Sequence, residues 1–285
     1  MKKLLCTIIM ALTIASLCDA QPPGWKMPTR EKKIYSLSVG QVKMDIDANC
    51  GGRIVSLKHD TTEIISQIEF PNMFGSTFWT SPQKELNWPP VREHDTMPYT
   101  VEEKDGALVM TSPLSEKLPI RIIKKFEANE QENCFVVTYS MINEAKEEKK
   151  VAPWEITRVL SRGSVLFDAP VEGIWPAGLM PFEQKNGYAW FDINHDETQN
   201  RKVNSDGKGW LAYIDKGLLL IKRFEDITPE QPAPGEAEIQ VYVHQGNVYV
   251  ELESKGAYVT LQPGERTDWA VKWYLMPYTN LDVLK

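Results

Sequence analysis

Two side chains that handle protons stand close together near the C-terminus. His244 ends one run of alternating apolar and polar residues, Ile239 to His244, and Glu251 lies in the next, Val248 to Glu253. Gln245-Gly246-Asn247 separates the runs and has the composition of a tight turn. An imidazole and a carboxylate at that spacing can move protons on one bound molecule, provided both point into a cleft. A third candidate is Glu155, within Val151-Ala152-Pro153-Trp154-Glu155-Ile156-Thr157-Arg158. Burial would raise its carboxyl pKa and let it act as an acid. With Glu251 it would form a carboxylate pair, whose separation decides what bond-breaking chemistry it suits. The alternative is structural: Glu155 pairs with Arg158 or Arg53 and only supports the fold.

The elements that must position these groups read almost entirely as strands. Runs such as Val42 to Ile46, Ile120 to Phe126, Phe135 to Ser140 and Tyr258 to Glu265 alternate apolar with polar residues, the period of a half-buried strand. Trp269 to Leu275 closes the chain as one more strand, and Pro263-Gly264 marks a further turn. The spacing predicts an antiparallel meander folded into one large β-sandwich over 34–285, with no amphipathic helix of ten residues or more. The Pro-rich residues 21–33 read as an extended leader. Asn143 to Lys150 is a charged run, expected at a solvated hairpin tip.

Aromatic loops interrupt the strand pattern. One runs from Phe70 through Trp79 and Trp88, the other from Gly173 through Trp175 to Trp190. Flat apolar rings beside amide and carboxylate groups suit a sugar, whose C–H faces pack on rings while its hydroxyls seek polar partners. Trp79, Gln83, Trp88, Trp154, Arg158 and Trp175 are therefore the expected binding residues, with Glu85 and Asn87 at the rim and Glu251, Glu155 and His244 as the polar centre. The competing expectation is that the tryptophans cap the ends of the core.

Motifs at both ends carry a family resemblance. Gln240-Val241-Tyr242, then Glu251, then Leu261-Gln262-Pro263-Gly264-Glu265 and a closing aromatic strand resemble the C-terminal end of the galactose-mutarotase-like β-sandwiches. Asn49-Cys50-Gly51-Gly52-Arg53-Ile54-Val55-Ser56-Leu57 resembles the Gly-rich strand that opens them. Phe78 to Gln83 with Trp88-Pro89-Pro90, and Gly209 to Tyr213, are similar to a family of secreted bacterial proteins of Bacteroides type within that fold. The resemblance implies a galactose-mutarotase-like supersandwich, with a glutamate base on the anomeric hydroxyl and a histidine acid on the ring oxygen. Glu251 matches the base by its place before the Leu-x-Pro-Gly-Glu turn. The strand expected to carry the histidine holds Trp154 and Glu155 instead. Binding, or an altered sugar chemistry, is therefore expected over aldose epimerisation. A structural or assembly module of an envelope complex, with the aromatic loops as a protein interface, is the alternative function.

Met1 to Ala20 reads as a signal peptide, with Lys2 and Lys3 before the apolar Leu4 to Leu17 and small residues before Gln21. A periplasmic or secreted protein is expected, and a lipid anchor on Cys18 is the rival reading. The remaining Cys50 and Cys134 can pair in an oxidising compartment or stay as buried thiols. The net charge of −7 argues against nucleic acid as a partner. A carbohydrate partner, no membrane span and a monomer are expected. Asp192, Asn194 and Asp196 alternate as at the start of a calcium loop, but Glu197 replaces the glycine that should follow. A calcium site of another kind stays open, and otherwise no cofactor or metal is expected. His59 and His94 have no partners at zinc-ligand spacing. No nucleophile elbow appears: Arg162-Gly163-Ser164-Val165 lacks the second glycine.

Overall fold

The computed structural model describes residues 31–68, 73–86, 89–193 and 198–284, without the side chains of residues 85 and 86. The stretch read as a signal peptide and nearly all of the stretch read as a leader lie outside the described residues, as do Trp88, Asn87 and the stretch from Asn194 to Glu197. In chain order the first ten strands are β1 (Ile34–Val39), β2 (Val42–Asp47), β3 (Arg53–His59), β4 (Thr62–Glu63), β5 (Ser76–Ser81), β6 (Thr100–Lys104), β7 (Ala107–Thr111), β8 (Ile120–Asn129), β9 (Cys134–Asn143) and β10 (Lys149–Val159). After them come β11 (Ser164–Phe167), β12 (Glu183–Lys185), β13 (Tyr188–Asp192), β14 (Arg201–Ser205), β15 (Trp210–Asp215), β16 (Leu218–Arg223), β17 (Ile239–Val243), β18 (Val250–Lys255), β19 (Val259–Leu261) and β20 (Arg266–Pro277). The described α-helices are two single turns, α1 (Gln83–Leu86) and α2 (Arg92–Asp95).

These strands form two antiparallel sheets. The first has the order β1-β2-β3-β5-β10-β18-β17-β14, with β4 beside β3 and β19 beside β10. The second runs β12-β13-β11-β15-β16-β20-β9-β8-β7-β6. Every second residue of each strand points between the sheets, because side chains alternate across a strand. Phe78, Leu252 and Val241 from the first sheet meet Val137, Tyr213 and Trp273 from the second in one apolar core. Phe78 stacks on Tyr139 with ring centroids 4.2 Å apart. The charged run is only partly a hairpin tip, because Lys149 and Lys150 already pair with β19. Cys50 and Cys134 are buried free thiols. No helix among the described residues is long and apolar enough to cross a membrane.

The interior also holds charge. Lys222 Nζ lies 2.6 Å from Glu155 Oε2, and neither side chain is exposed to solvent. Tyr139 and Trp273 donate to the other carboxylate oxygen, at 2.5 and 3.3 Å. Glu155 thus reaches from β10 to β16, β9 and β20 and ties the two sheets together. Burial pushes the Lys222 pKa down, while Glu155 opposes that shift.

Candidate functional site on the outer face of the first sheet

Trp154, Ile156 and Arg158 of β10 face away from the main core. Register decides which neighbours join them. Trp154 lies opposite Lys255, Ile156 opposite Glu253 and Arg158 opposite Glu251 across β18. Trp79 and Thr77 of β5 lie opposite Trp154 and Ile156. On the far side, Gln240 and Tyr242 of β17 lie opposite Glu253 and Glu251. Asn204 and Lys202 of β14 lie opposite Gln240 and Tyr242. Directly opposed residues share a face, so these side chains form lateral rows on the side of the sheet away from the core.

This face is unusual for a sheet surface. Arg158, Glu253, Lys255 and Trp154 are each 3% exposed or less. Charges so buried are costly unless paired, and here they are paired. Arg158 Nε donates to Glu251 Oε1 at 2.9 Å, and its Nη1 donates to Thr77 Oγ1 at 3.2 Å. Lys202 Nζ stands 3.0 Å from Glu253 Oε1, while Trp154 Nε1 donates to Glu253 Oε2 at 2.7 Å. Lys255 pairs with Glu236, which also accepts from Ser81 Oγ. The Trp154 ring receives two ammonium groups, Lys255 at 4.3 Å and Lys202 at 5.1 Å from its centroid. Trp79 meets it edge-on at 5.2 Å.

Burial dominates the titration of these groups. It pushes the Glu251 carboxyl up; the Arg158 charge opposes this and Glu253 adds to it. Burial lowers Lys255 to about 8, against the pull of Glu236 and Glu253. Glu236 itself is held below the usual carboxylate range: burial would raise it, and Lys255, Ser81 and the Gln83 amide together outweigh that.

A second layer fixes the tryptophans. Trp79 Nε1 donates to Asp95 Oδ1 at 2.9 Å, and Arg53 Nη2 pairs with the same oxygen at 2.9 Å. Asp95 belongs to α2, which lies against the Gly51-Gly52 turn. Gly51 has φ +65°, and a Cβ there would meet the Asp95 carbonyl oxygen at 2.4 Å, so only glycine lets α2 come this close.

The structure brings Glu251, Arg158, Trp154 and Trp79 together, and it separates Glu155 from them. Glu155 pairs in register with Ser254 and points into the core, because adjacent residues of a strand face opposite sides. The carboxylate pair with Glu251 is therefore not formed. The structural alternative also needs correction: the partner of Glu155 is Lys222, whereas Arg158 binds Glu251 and Arg53 binds Asp95. His244 sits just past β17 at the rim. Its Nδ1 lies 2.6 Å from the Gln245 carbonyl oxygen, and its ring centroid lies 4.8 Å from that of Tyr249. Gln83 is exposed, and its backbone N–H donates to Glu236 Oε1 at 3.0 Å. Trp175 lies at the β14 edge, 43% exposed, bridged to Asn204 by reciprocal backbone hydrogen bonds of 3.0 and 2.8 Å. Trp88 lies outside the described residues. Asp192, first of the calcium-like series, accepts from Ser164 Oγ and Trp190 Nε1 at 2.5 Å each.

Sequence reasoning missed Glu253, Lys255, Lys202, Gln240, Glu236 and Asp95. Three had a usable signal: Gln240 before Tyr242, and Glu253 and Lys255 after Glu251, occupy every second position of strands whose intervening residues are apolar or small. Glu236 and Asp95 come from a loop and a short helix, where no period exists to read.

No protein-family model matches the sequence, and no curated protein does. Among solved structures, a candidate aldose 1-epimerase from Escherichia coli K12 superposes with TM-score 0.64 at 17% identity, over 87% of this chain and 100% of its own. A galactose mutarotase-like protein from Lactobacillus casei gives TM-score 0.60 at 14% identity, covering 86% of this chain and all of its own. A galactose mutarotase-like protein from Clostridium acetobutylicum gives 0.59 at 12%, covering 87% and 96%. At such identities the likeness establishes architecture, and the two large antiparallel sheets agree with it: the chain has the galactose-mutarotase-like β-sandwich fold.

Proposed function

We propose that the protein binds carbohydrate on the outer face of its first sheet, as an extracytoplasmic protein of the secreted bacterial family its motifs resemble. The observation that carries this reading is the set of paired charges buried on a face that does not belong to the core, walled by the Trp79 and Trp154 rings. Rings for C–H faces and preset donors and acceptors for hydroxyls are what a sugar needs.

The geometry favours recognition over anomer exchange. Trp154 occupies the strand position where the resemblance calls for an acid histidine, and an indole N–H donates a hydrogen bond without releasing its proton. Glu253 is held by Trp154 and Lys202, and Glu251 by Arg158. Glu251 keeps some exposure and can accept a sugar hydroxyl, whereas Glu253 is closed from solvent; neither stands ready as a free base.

The test is ligand-dependent melting against neutral and acidic sugars, with Glu251→Gln beside the wild type. A rise in Tm that disappears in Glu251→Gln supports the reading. One observation favours the alternative of a protein interface: Trp175 and Leu179 are exposed apolar residues in one loop. Gel filtration separates the two, since a sugar site contained in a monomer needs no partner.

A further inference from the structure

We infer that the ligand is an oligosaccharide lying across the strands, with Trp175 as its distal stacking platform. This rests on the carbohydrate reading above and extends it to the size of the ligand.

The argument begins with one lateral row. Trp175 is bridged to Asn204, Asn204 pairs with Gln240, and Gln240 pairs with Glu253. Residues opposed in antiparallel pairs share a face, so the Trp175 ring belongs to the same face as the Glu253 carboxylate. Three strand-to-strand steps separate them, or about 14 Å at ~4.8 Å per step. A six-membered ring built from bonds of ~1.5 Å is about 3 Å across, or about 6 Å with an oxygen substituent on either side. One sugar unit cannot reach both residues, whereas a chain of about three units covers the row.

A second observation comes from buried polar atoms. Gln240 is 4% exposed and donates its Nε2 to Asn204 Oδ1 at 2.5 Å, yet its Oε1 has no partner among the described residues. Arg158 is fully buried with its guanidinium over the Trp79 ring, 5.5 Å from the centroid, and its Nη2 likewise has no hydrogen-bond partner among the described residues. An unsatisfied buried donor or acceptor costs ~1–3 kcal/mol, so such atoms point to a group that completes them. One is an acceptor and the other a donor, which matches hydroxyls better than a single ion. They lie two strands and two residues apart, and their Cα atoms are therefore on the order of 12 Å from each other by sheet geometry. That distance also exceeds one sugar ring.

Exposure grades along the same direction. Trp79 and Trp154 are buried, Tyr242 and Lys202 are half-buried, and Trp175 is open at the sheet edge. A glycan chain would therefore have one end enclosed near Trp79 and Arg158 and would leave the protein past Trp175.

The experiment is calorimetric titration of the full chain with neutral and uronic-acid oligosaccharides of one to six units, on wild type, Trp175→Ala and Trp175→Phe. Affinity is expected to rise at least tenfold from one to three units. Trp175→Ala should lose about tenfold on the longer chains, as a stacked tryptophan anchor does, with monosaccharide binding unchanged. Trp175→Phe should recover most of the loss. Trp175 is exposed, so these variants should fold normally. Monosaccharides binding as tightly as hexasaccharides, or Trp175→Ala leaving long chains unaffected, would overturn the inference while leaving the carbohydrate face intact. Failure of every sugar at every length would overturn both.

Discussion

Trp154 Nε1 donates a 2.7 Å hydrogen bond to Glu253 Oε2, from the strand position that the resemblance reserves for an acid. The relation sets what this face can do. It fixes the carboxylate beneath an aromatic ring flanked by Lys255 and Lys202, and it places a group with no transferable proton where proton transfer would be needed. The first prediction follows from it. Trp154→Phe keeps the ring and removes the donor, leaving Glu253 with Lys202. A loss of ~1–3 kcal/mol is expected for the unsatisfied acceptor. For a chain of this size that is a fall in Tm of roughly 2–4 °C per kcal/mol, read by calorimetry. No change in Tm would show that the bond contributes nothing.

Glu155 gives a prediction of the opposite kind. Lys222→Met strands a buried carboxylate in the core and should destabilise the protein by ~3–5 kcal/mol in urea titrations. Combining it with Glu155→Gln should recover much of that loss. Sugar affinity of the folded double variant should equal that of wild type, because Glu155 faces away from the site. A folded double variant that no longer binds would contradict this placement.

Lys255 makes stability depend on pH. Its folded pKa is lowered by burial to about 8 from the ordinary 10.5. Between those values the unfolded chain holds the proton that the folded protein has released, so stability rises with pH through this window. Below about 8 both states are protonated and the cost of burying the charge is at its largest. Wild type should therefore gain stability relative to Lys255→Met from pH 8 to 10, by an amount on the order of 3 kcal/mol. Parallel pH profiles for the two proteins would contradict a depressed lysine.

Asp95 should act as a positioning residue. It holds both Trp79 Nε1 and Arg53 Nη2 on one oxygen. Asp95→Asn keeps a hydrogen-bonding oxygen but removes the charge opposite buried Arg53, and a loss of stability larger than that of a typical surface change is expected. Sugar affinity should fall with it, because the Trp79 ring loses its anchor. Tryptophan fluorescence and titration on the same sample separate the two effects.

Much of this was legible in the sequence, and the residues show where legibility ended. The period of two in Ile239 to His244 and Val248 to Glu253 marked strands and offered Glu251, while Trp154 and Arg158 came from the separate run Val151 to Arg158. Glu155 was misplaced because a strand's period gives two faces without saying which one is the core. Only the register of β10 against β18 and β5 decides that, and register is set by pairing between distant segments. Glu253 and Lys255 share the face of Glu251 by the same period, so they become legible once that face is known. Glu236 and Asp95 reach the site through tertiary packing of a loop and a single helical turn, which leaves no local pattern. His244 was expected at the centre and stands at the rim, because β17 ends one residue before it.

The most direct test of the central claim is proton NMR of the purified protein with a panel of neutral and acidic mono- and oligosaccharides, following ligand line broadening and anomer exchange together. Broadening in the wild type that is lost in Glu251→Gln, with anomer exchange no faster than in buffer, is the predicted result. Accelerated anomer exchange would contradict a binding face closed to proton transfer by Trp154. Absence of broadening with every sugar would contradict carbohydrate recognition itself.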